Sequence, residues 1–448
     1  MPSKEELIKK AEKPGKDAMK LHPFYRGKVQ TALKCCVRDL NDFAIWYTPG
    51  VAKPCMDIHD NPEKVFEHTN KGNTIAVISD GTRVLGLGDI GAEASMPVME
   101  GKALLFKYLG GVDAVPICLD TKDPDKIIET VLMLQPSFGG VNLEDFAQPK
   151  CFHILDTLRK EAHIPIWHDD QQGTAAVTVA GLINALKIVG KDIGEAKISM
   201  IGAGAANIAI ARVMITAGVT PENIVMCDTK GALHVDRADR ENLQKNFKEK
   251  WHFCQTTNKA GITGGPDEVI KGTDVLISLS KPGPDTIKPE WVKAMNKDAV
   301  VFICANPIPE MWPWDAKEAG ARIVATGRSD FPNQVNNSLG FPGIFRGTLD
   351  VFAKTITDEM CIAAAVELAR CAEDKGMHEE YLIPTMDEWE VYPRVAVAVA
   401  MKAIEQGVHR REFTRDELFK MAETKIKEAR NQLKAFQDAG IIRLPEEE

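Results

Sequence analysis

Lys197-Ile198-Ser199-Met200-Ile201-Gly202-Ala203-Gly204-Ala205-Ala206-Asn207 sets an apolar run, a glycine turn and the first residues of a helical pattern in immediate succession. That context gives a G-x-G-x-x spacing its meaning. Glycines allow the tight turn after a strand, and the free N–H groups of the helix that opens there receive a pyrophosphate. With a helix expected over 205–217, Gly202, Gly204, Ala205, Ala206 and Asn207 are candidate dinucleotide contacts. Asn207 stands where Gly or Ala usually allows close helix–strand packing, a task the neighbouring Ala206 can take. A second apolar run, Asn223-Ile224-Val225-Met226-Cys227, ends in Asp228, where a ribose-binding acid belongs. The carboxylate favours a free 2′-hydroxyl and hence NAD, whereas Lys230, two residues on, can answer a 2′-phosphate; the balance falls to NADP, with NAD open.

Downstream, apolar runs over 274–279, 299–305 and 321–326 fit further parallel strands buried on both faces, separated by helix-length segments. Their carboxyl ends would face the cofactor, and two of the loops carry asparagines, Asn306 and the group that ends at Asn337. Asparagine in a loop also serves turns, so these positions admit both readings. After Phe345 the chain reads as helical to its end, with a capping box at Thr414-Arg415-Asp416-Glu417.

Upstream, Pro165-Ile166-Trp167-His168-Asp169-Asp170-Gln171-Gln172-Gly173-Thr174 ends an apolar run in two acids and opens a helix over 173–189 that is apolar on nearly all sides, as between two bodies of protein. Adjacent acids at a helix start commonly cap backbone N–H groups. Residues 4–45 read as mostly helical, broken near 21–27 by Pro and Gly, and suit a packing or dimer arm. The aromatic cluster Phe43 to Val51 would hold Tyr47 at the rim of a core. Thr74 to Ser79 and Val84 to Gly91 read as two strands joined by Asp80-Gly81, a hairpin signal. Lys102 lies in the first turns of a helix among Met, Ala, Leu and Phe, where a desolvated ammonium titrates lower and can become a base, although a snorkelling lysine fits equally. Glu144, Asp145 and Asp170 could supply oxygen ligands to Mg²⁺ or Mn²⁺.

The fold class is therefore α/β with two domains: an amino-terminal α/β substrate domain over 1–170, a Rossmann-type dinucleotide-binding domain over 171–390, and a helical tail over 391–448 that packs on the core. At 448 residues, 44% hydrophobic and 27% charged, the composition is that of a globular enzyme. A net charge of -9 disfavours a nucleic-acid partner, and no apolar run reaches membrane-spanning length. Ten scattered cysteines without C-x-x-C spacing fit reduced thiols, and the charged amino terminus lacks a secretory or transit pattern, so a cytoplasmic enzyme is expected.

Taken together, Trp46-Tyr47-Thr48-Pro49-Gly50-Val51, Arg83 to Gly91, Pro97-Val98-Met99-Glu100-Gly101-Lys102, Asn142-Leu143-Glu144-Asp145, His168-Asp169-Asp170-Gln171, Gly202 to Ala206 and Phe331 to Asn337 make nearly the whole chain resemble the malic enzymes, in particular the shorter type of bacteria and some unicellular eukaryotes. The resemblance implies oxidative decarboxylation of L-malate to pyruvate and CO₂ with reduction of NADP or NAD, and dependence on Mg²⁺ or Mn²⁺. It implies Lys102 as general base, Tyr47 as general acid, Glu144, Asp145 and Asp170 as metal ligands, and Arg83, Asn306 and Asn337 as substrate contacts, Asn306 also touching the coenzyme. A homodimer is expected, with the amino-terminal helices as candidate interface. The competing readings are a metal-independent amino-acid or folate-type dehydrogenase of similar plan and a dinucleotide sensor without turnover.

Overall fold

The computed structural model describes residues 4–445, which form two parallel sheets with helices between and around them. In the first sheet, β1 (Thr74–Ser79), β2 (Asp113–Cys118), β3 (Gly140–Leu143) and β4 (Ile166–His168) lie in the order β2-β1-β3-β4, all parallel. Ile75 to Ser79 of the central β1 are buried, so both faces of this strand are covered. The second sheet contains β5 (Ile198–Ile201), β6 (Ile224–Asp228), β7 (Gly231–Ala232), β8 (Val275–Ser278), β9 (Val300–Ile303) and β10 (Ile323–Thr326) in the order β10-β9-β8-β5-β6-β7. Only the two-residue β7 runs antiparallel to its neighbour.

Where the strand order of a parallel sheet reverses, the connecting loops diverge and leave a crevice beyond the carboxyl ends. In the first sheet that point lies between β1 and β3, beyond Ser79 and Leu143; in the second it lies between β5 and β8, beyond Ile201 and Ser278. The helix Thr174–Val189 connects the two sheets. Asp169–Val189 is long and apolar enough to cross a membrane by length and composition, yet 72% of that window is buried inside the protein.

The Phe341–Asp350 helix is buried along its whole length and packs on the Ala92–Gly110 helix, with Phe106 ring centroids 4.5 Å from Phe341 and 5.2 Å from Phe345. A Cβ on Gly347 would lie 2.1 Å from Ala396 O, so the Val391–Glu405 helix sits directly on this backbone. The last long helix, Arg415–Asp438, opens on the expected Thr414–Glu417 capping box and packs against the Ala92–Gly110 helix through its side chains, with Ile426 buried beside Leu109 and Tyr392.

Several local expectations are corrected. Val84 to Gly91 is not the second strand of a hairpin. β1 takes both its partners in parallel, and the following loop curls on itself through one antiparallel bridge, Val84 with Gly88. Asp80 explains this, because its Oδ1 accepts from Thr82 N and Thr82 Oγ1 at 3.1 and 2.7 Å, a side-chain turn that competes with strand continuation. Residues 26–38 are not helical; the first helix runs through Pro23 to Tyr25, and the next, Leu40–Trp46, starts on Asp39 as cap. Beyond Phe345, 351–357 and 375–390 are irregular rather than helical. Tyr47 is not at a core rim but 72% exposed, beside exposed Phe43 and Trp46.

Candidate active site

The crevice of the first sheet gathers charge from three strand ends and one helix. β1 leads into the Asp80–Gly91 loop, β3 ends directly before Glu144 and Asp145, and β4 ends before Asp169 and Asp170. Lys102 reaches the same place from the Ala92–Gly110 helix. Its Nζ lies 2.6 Å from Asp169 Oδ2 and 3.1 Å from Glu144 Oε1, all three side chains being buried. The ammonium also stands 4.5 Å from the centre of the Phe341 ring.

Asp169 is the residue that sequence reasoning passed over. The five residues Asp169–Gly173 form a π-helical turn, and its two adjacent acids diverge. Asp169 accepts from Lys102 and from Trp167 Nε1 at 3.2 Å, while Asp170 Oδ2 accepts from Asp145 N at 2.7 Å. Neither acid caps the helix that follows, so the ordinary reading of paired acids at a helix start does not hold here. The only sequence signal for Asp169 was adjacency to Asp170; its pairing with Lys102 crosses 67 positions.

Two strand ends supply the oxygens, Glu144 and Asp145 after β3 and Asp170 after β4, and their ligand atoms all lie within 4.8 Å of one another. Asp145 holds a left-handed backbone, φ 60°, an uncommon conformation for a non-glycine residue and one expected where function dictates geometry. Its Oδ2 is buried without a hydrogen-bond partner. Four acids, the buried Glu144, Asp145 and Asp169 and the half-buried Asp170, thus lie around one ammonium. Burial, then the Asp170 charge, pushes the Asp145 carboxyl up to about 8, and burial also raises Glu144 and Asp170. An all-oxygen donor set with an orphaned carboxylate oxygen and excess negative charge fits a hard divalent cation.

Lys102 departs from expectation. Burial by itself depresses the ammonium, but Asp169 and Glu144 outweigh it and the net direction is upward. Among these carboxylates the resting lysine is therefore charged, and it is their field that holds its proton.

Arg83, exposed at the crevice mouth, donates Nη1 to Leu85 O at 2.6 Å, and its charge offsets a small part of the burial that raises Asp145 and Asp170. Asn337 borders the π turn: a Cβ on Gly173 would lie 3.3 Å from Asn337 Cβ. The exposed Asn306 belongs to the second sheet yet meets the Arg83 loop, since a Cβ on Gly86 would lie 2.6 Å from Asn306 O. The two crevices therefore open onto each other. Tyr47 alone stands apart: among the described residues, no hydrogen bond or ion pair links it to Lys102 or to the four acids.

In the dinucleotide half, Gly202 has φ +99°, and a Cβ there would lie 2.5 Å from Leu279 O, so the turn needs glycine for both conformation and space. Gly204 caps the Ala205–Thr216 helix and faces open space. Asn207 is fully buried, and its Nδ2 donates to Ile201 O at 3.0 Å and Gly202 O at 2.8 Å, so its side chain fastens the glycine turn from behind. Glu310 was also missed. Its buried carboxylate accepts from Ser278 Oγ and Ser280 N at 2.8 Å and from Ala305 N at 3.0 Å, tying the ends of β8 and β9 beside Asn306. Glu310→Gln can match only one of these two donor edges, since an amide presents N–H groups where the carboxylate accepts. The variant is expected to lose about 1–3 kcal/mol in denaturant unfolding and to bind coenzyme more weakly; unchanged values for both would remove Glu310 from this role.

Two family models cover the chain: the malic enzyme N-terminal domain over 26–159 and the malic enzyme NAD-binding domain over 171–404. The chain belongs to the malic enzyme family. It is 51% identical over 394 residues to the bifunctional malic/malolactic enzyme of Bacillus subtilis, covering 88% of this chain and 94% of that protein. It is 48% identical over 386 residues to the NAD-dependent malic enzyme of Geobacillus stearothermophilus, covering 86% and 78% respectively. The malic enzyme of Entamoeba histolytica superposes with a TM-score of 0.96 at 49% identity, over 99% of this chain and 93% of that one. Other relatives are NADP-dependent, so malic enzymes of both coenzyme types stand close to this chain. As a malic enzyme it is a nicotinamide-dependent oxidoreductase of malate, and the two-domain α/β fold is the family's own.

Proposed function

We propose that this malic enzyme converts L-malate to pyruvate and CO₂ with a divalent cation held by Glu144, Asp145 and Asp170, and with NADP preferred to NAD. The observation that carries this reading is the pairing of Lys102 with Asp169 beside three clustered acid ligands, 2.6 Å from Nζ to Oδ2. When bound, the cation supplies Lewis-acid polarisation of the substrate C2 oxygen, and the dinucleotide accepts the C2 hydride.

The chain's own residues handle the proton. With a cation among the acids, the field that holds the proton on Lys102 would weaken, the ammonium would give that proton to solvent, and the neutral Nζ would then take the C2 hydroxyl proton. Asp169 keeps Nζ aimed and stabilises the ammonium that forms. Arg83 clamps a substrate carboxylate with the paired geometry a lysine lacks, and the Asn306 and Asn337 amides orient the remainder. Tyr47, which stands apart from the acids within one chain, would return a proton to C3 after CO₂ leaves only once its arm is carried to the site, and the proton gained by Lys102 in each turnover then balances the one given up. Tyr47 is carried on an arm that exposes Leu33, Leu40, Ile45 and Trp46, and we propose that this arm is the homodimer interface of a cytosolic enzyme.

The test is incubation with L-malate and Mn²⁺, once with NADP⁺ and once with NAD⁺, following coenzyme reduction and pyruvate in the same tube. Both are expected to rise together, faster with NADP⁺, and to stop with a chelator. Reduction that survives chelation without pyruvate would overturn the metal-site reading in favour of a plain dehydrogenase.

A further inference from the structure

We propose that Asn142 and His168 are positioning residues for the divalent cation, Asn142 setting the carboxylate of Glu144 and His168 that of Asp170. The inference deepens the metal reading above and rests on it. Each residue stands two positions before its acid at the end of a buried strand, Asn142 on β3 and His168 on β4. Parallel pairing of these strands sets Asn142 opposite Trp167 and Leu143 opposite His168, so the two polar side chains occupy adjoining registers.

Neither position calls for a polar residue on grounds of packing. Every residue of β3 and β4 is buried, and strands covered on both faces are ordinarily continuous apolar runs. Asn142 and His168 are fully buried, and Asn142 Oδ1 and His168 Nδ1 and Nε2 have no hydrogen-bond partner. Such atoms cost stability that an apolar side chain of similar size would not. The polar atoms nearest to both residues belong to the ligand acids.

Asn142 Nδ2 donates to Glu144 Oε2 at 2.8 Å. Glu144 N still donates to Ile78 O at 2.9 Å, so the ladder runs on to Glu144 and places its side chain on the same face as that of Asn142. With Lys102 Nζ 3.1 Å from Oε1, the Glu144 carboxylate is held at both oxygens. His168 stands further off. Its Nδ1 lies 3.7 Å from Asp170 Oδ2, the oxygen that accepts from Asp145 N at 2.7 Å, while His168 N donates to Gln172 Oε1 at 3.0 Å and fixes the backbone that carries the ring. A shift of roughly 0.5 Å would bring Nδ1 within hydrogen-bond reach of Asp170. Groups that bond a ligating carboxylate from behind fix its direction, and their loss commonly costs about 10- to 100-fold in metal affinity.

The experiment titrates metal-free, full-length protein with Mn²⁺, the free ion being followed by its paramagnetic resonance signal, in wild type, Asn142→Leu, His168→Leu and His168→Asn. Both leucine variants are expected to bind Mn²⁺ about 10- to 100-fold more weakly. His168→Leu is expected to melt no lower than wild type without metal, because two unpartnered buried nitrogens are gone. His168→Asn, whose amide nitrogen can stand near the place of Nδ1, is expected to keep most of the affinity. Wild-type affinity in both leucine variants, with lowered metal-free melting, is what a packing role predicts and would overturn the inference alone. A loss in His168→Asn as large as in His168→Leu would remove His168 from the role. Wild type that binds no Mn²⁺ would overturn the metal reading itself and this inference with it. Should Asn142→Leu fail to fold, Asn142→Ala needs no added room and the same titration decides.

Discussion

Lys102→Ala is expected to lower malate oxidation by about 10²- to 10⁴-fold, the range that loss of a positioned general base costs, with dinucleotide affinity nearly unchanged. Among the described residues Lys102 is the only cation in direct contact with Glu144 and Asp169, and its helix lies against the first sheet, away from the glycine turn at Gly202. Its removal leaves three buried acids and the half-buried Asp170 facing no ammonium, so the metal-free variant is also expected to lose stability, on the order of 3–5 kcal/mol by analogy with broken buried pairs. Added Mn²⁺ should restore much of this loss, because the ligand acids remain. Steady-state kinetics, coenzyme titration and melting with and without Mn²⁺ separate the effects. Retained turnover would remove Lys102 from its role, and a variant that Mn²⁺ fails to stabilise would count against the three-acid site.

Gly173→Ala should be nearly as damaging, though no atom of Gly173 does chemistry. Its φ of −67° suits any residue, so the backbone tolerates alanine. The space does not: a Cβ there would lie 1.9 Å from Asp169 Oδ1 and 2.8 Å from Asp169 Cγ. Asp169 would have to leave Trp167 Nε1, and its other oxygen would lose the 2.6 Å contact with Lys102. A displacement of about 1 Å at such a position costs about 10²-fold in rate, against only about 1–3 kcal/mol of overpacking in stability. A fall in kcat far larger than the fall in melting temperature is the expected signature. Wild-type kcat in a folded Gly173→Ala variant would show that Asp169 does not position the base.

These two variants mark what could and could not be read in advance. The dinucleotide half was legible because its signals are local: strand, glycine turn and helix follow one another within 197–217, and Asp228 ends the next strand. Lys102 and the three ligand acids were legible as residue types in the right company, though nothing local pairs Lys102 with Asp169, 67 positions on. The hairpin at 74–91 failed because Asp80-Gly81 is a turn signal whichever way the next segment goes, and pairing direction is settled by neighbours 39 or more positions away, such as Asp113 opposite Thr74.

By itself, then, the sequence determined most of the elements, the order of the two sheets' motifs and most of the chemically able side chains, because periodicity and turn chemistry act over a few residues. Only the tertiary structure decided which of them meet. Parallel register brings Leu143 beside both Ile78 and His168, and this sets Glu144, Asp145, Asp169 and Asp170 around one ammonium. The same long-range packing turns Lys102 from a desolvated amine into a held ammonium and clamps Asp228 to Arg237. A charge takes its character from its partners, and those partners are assembled by the fold.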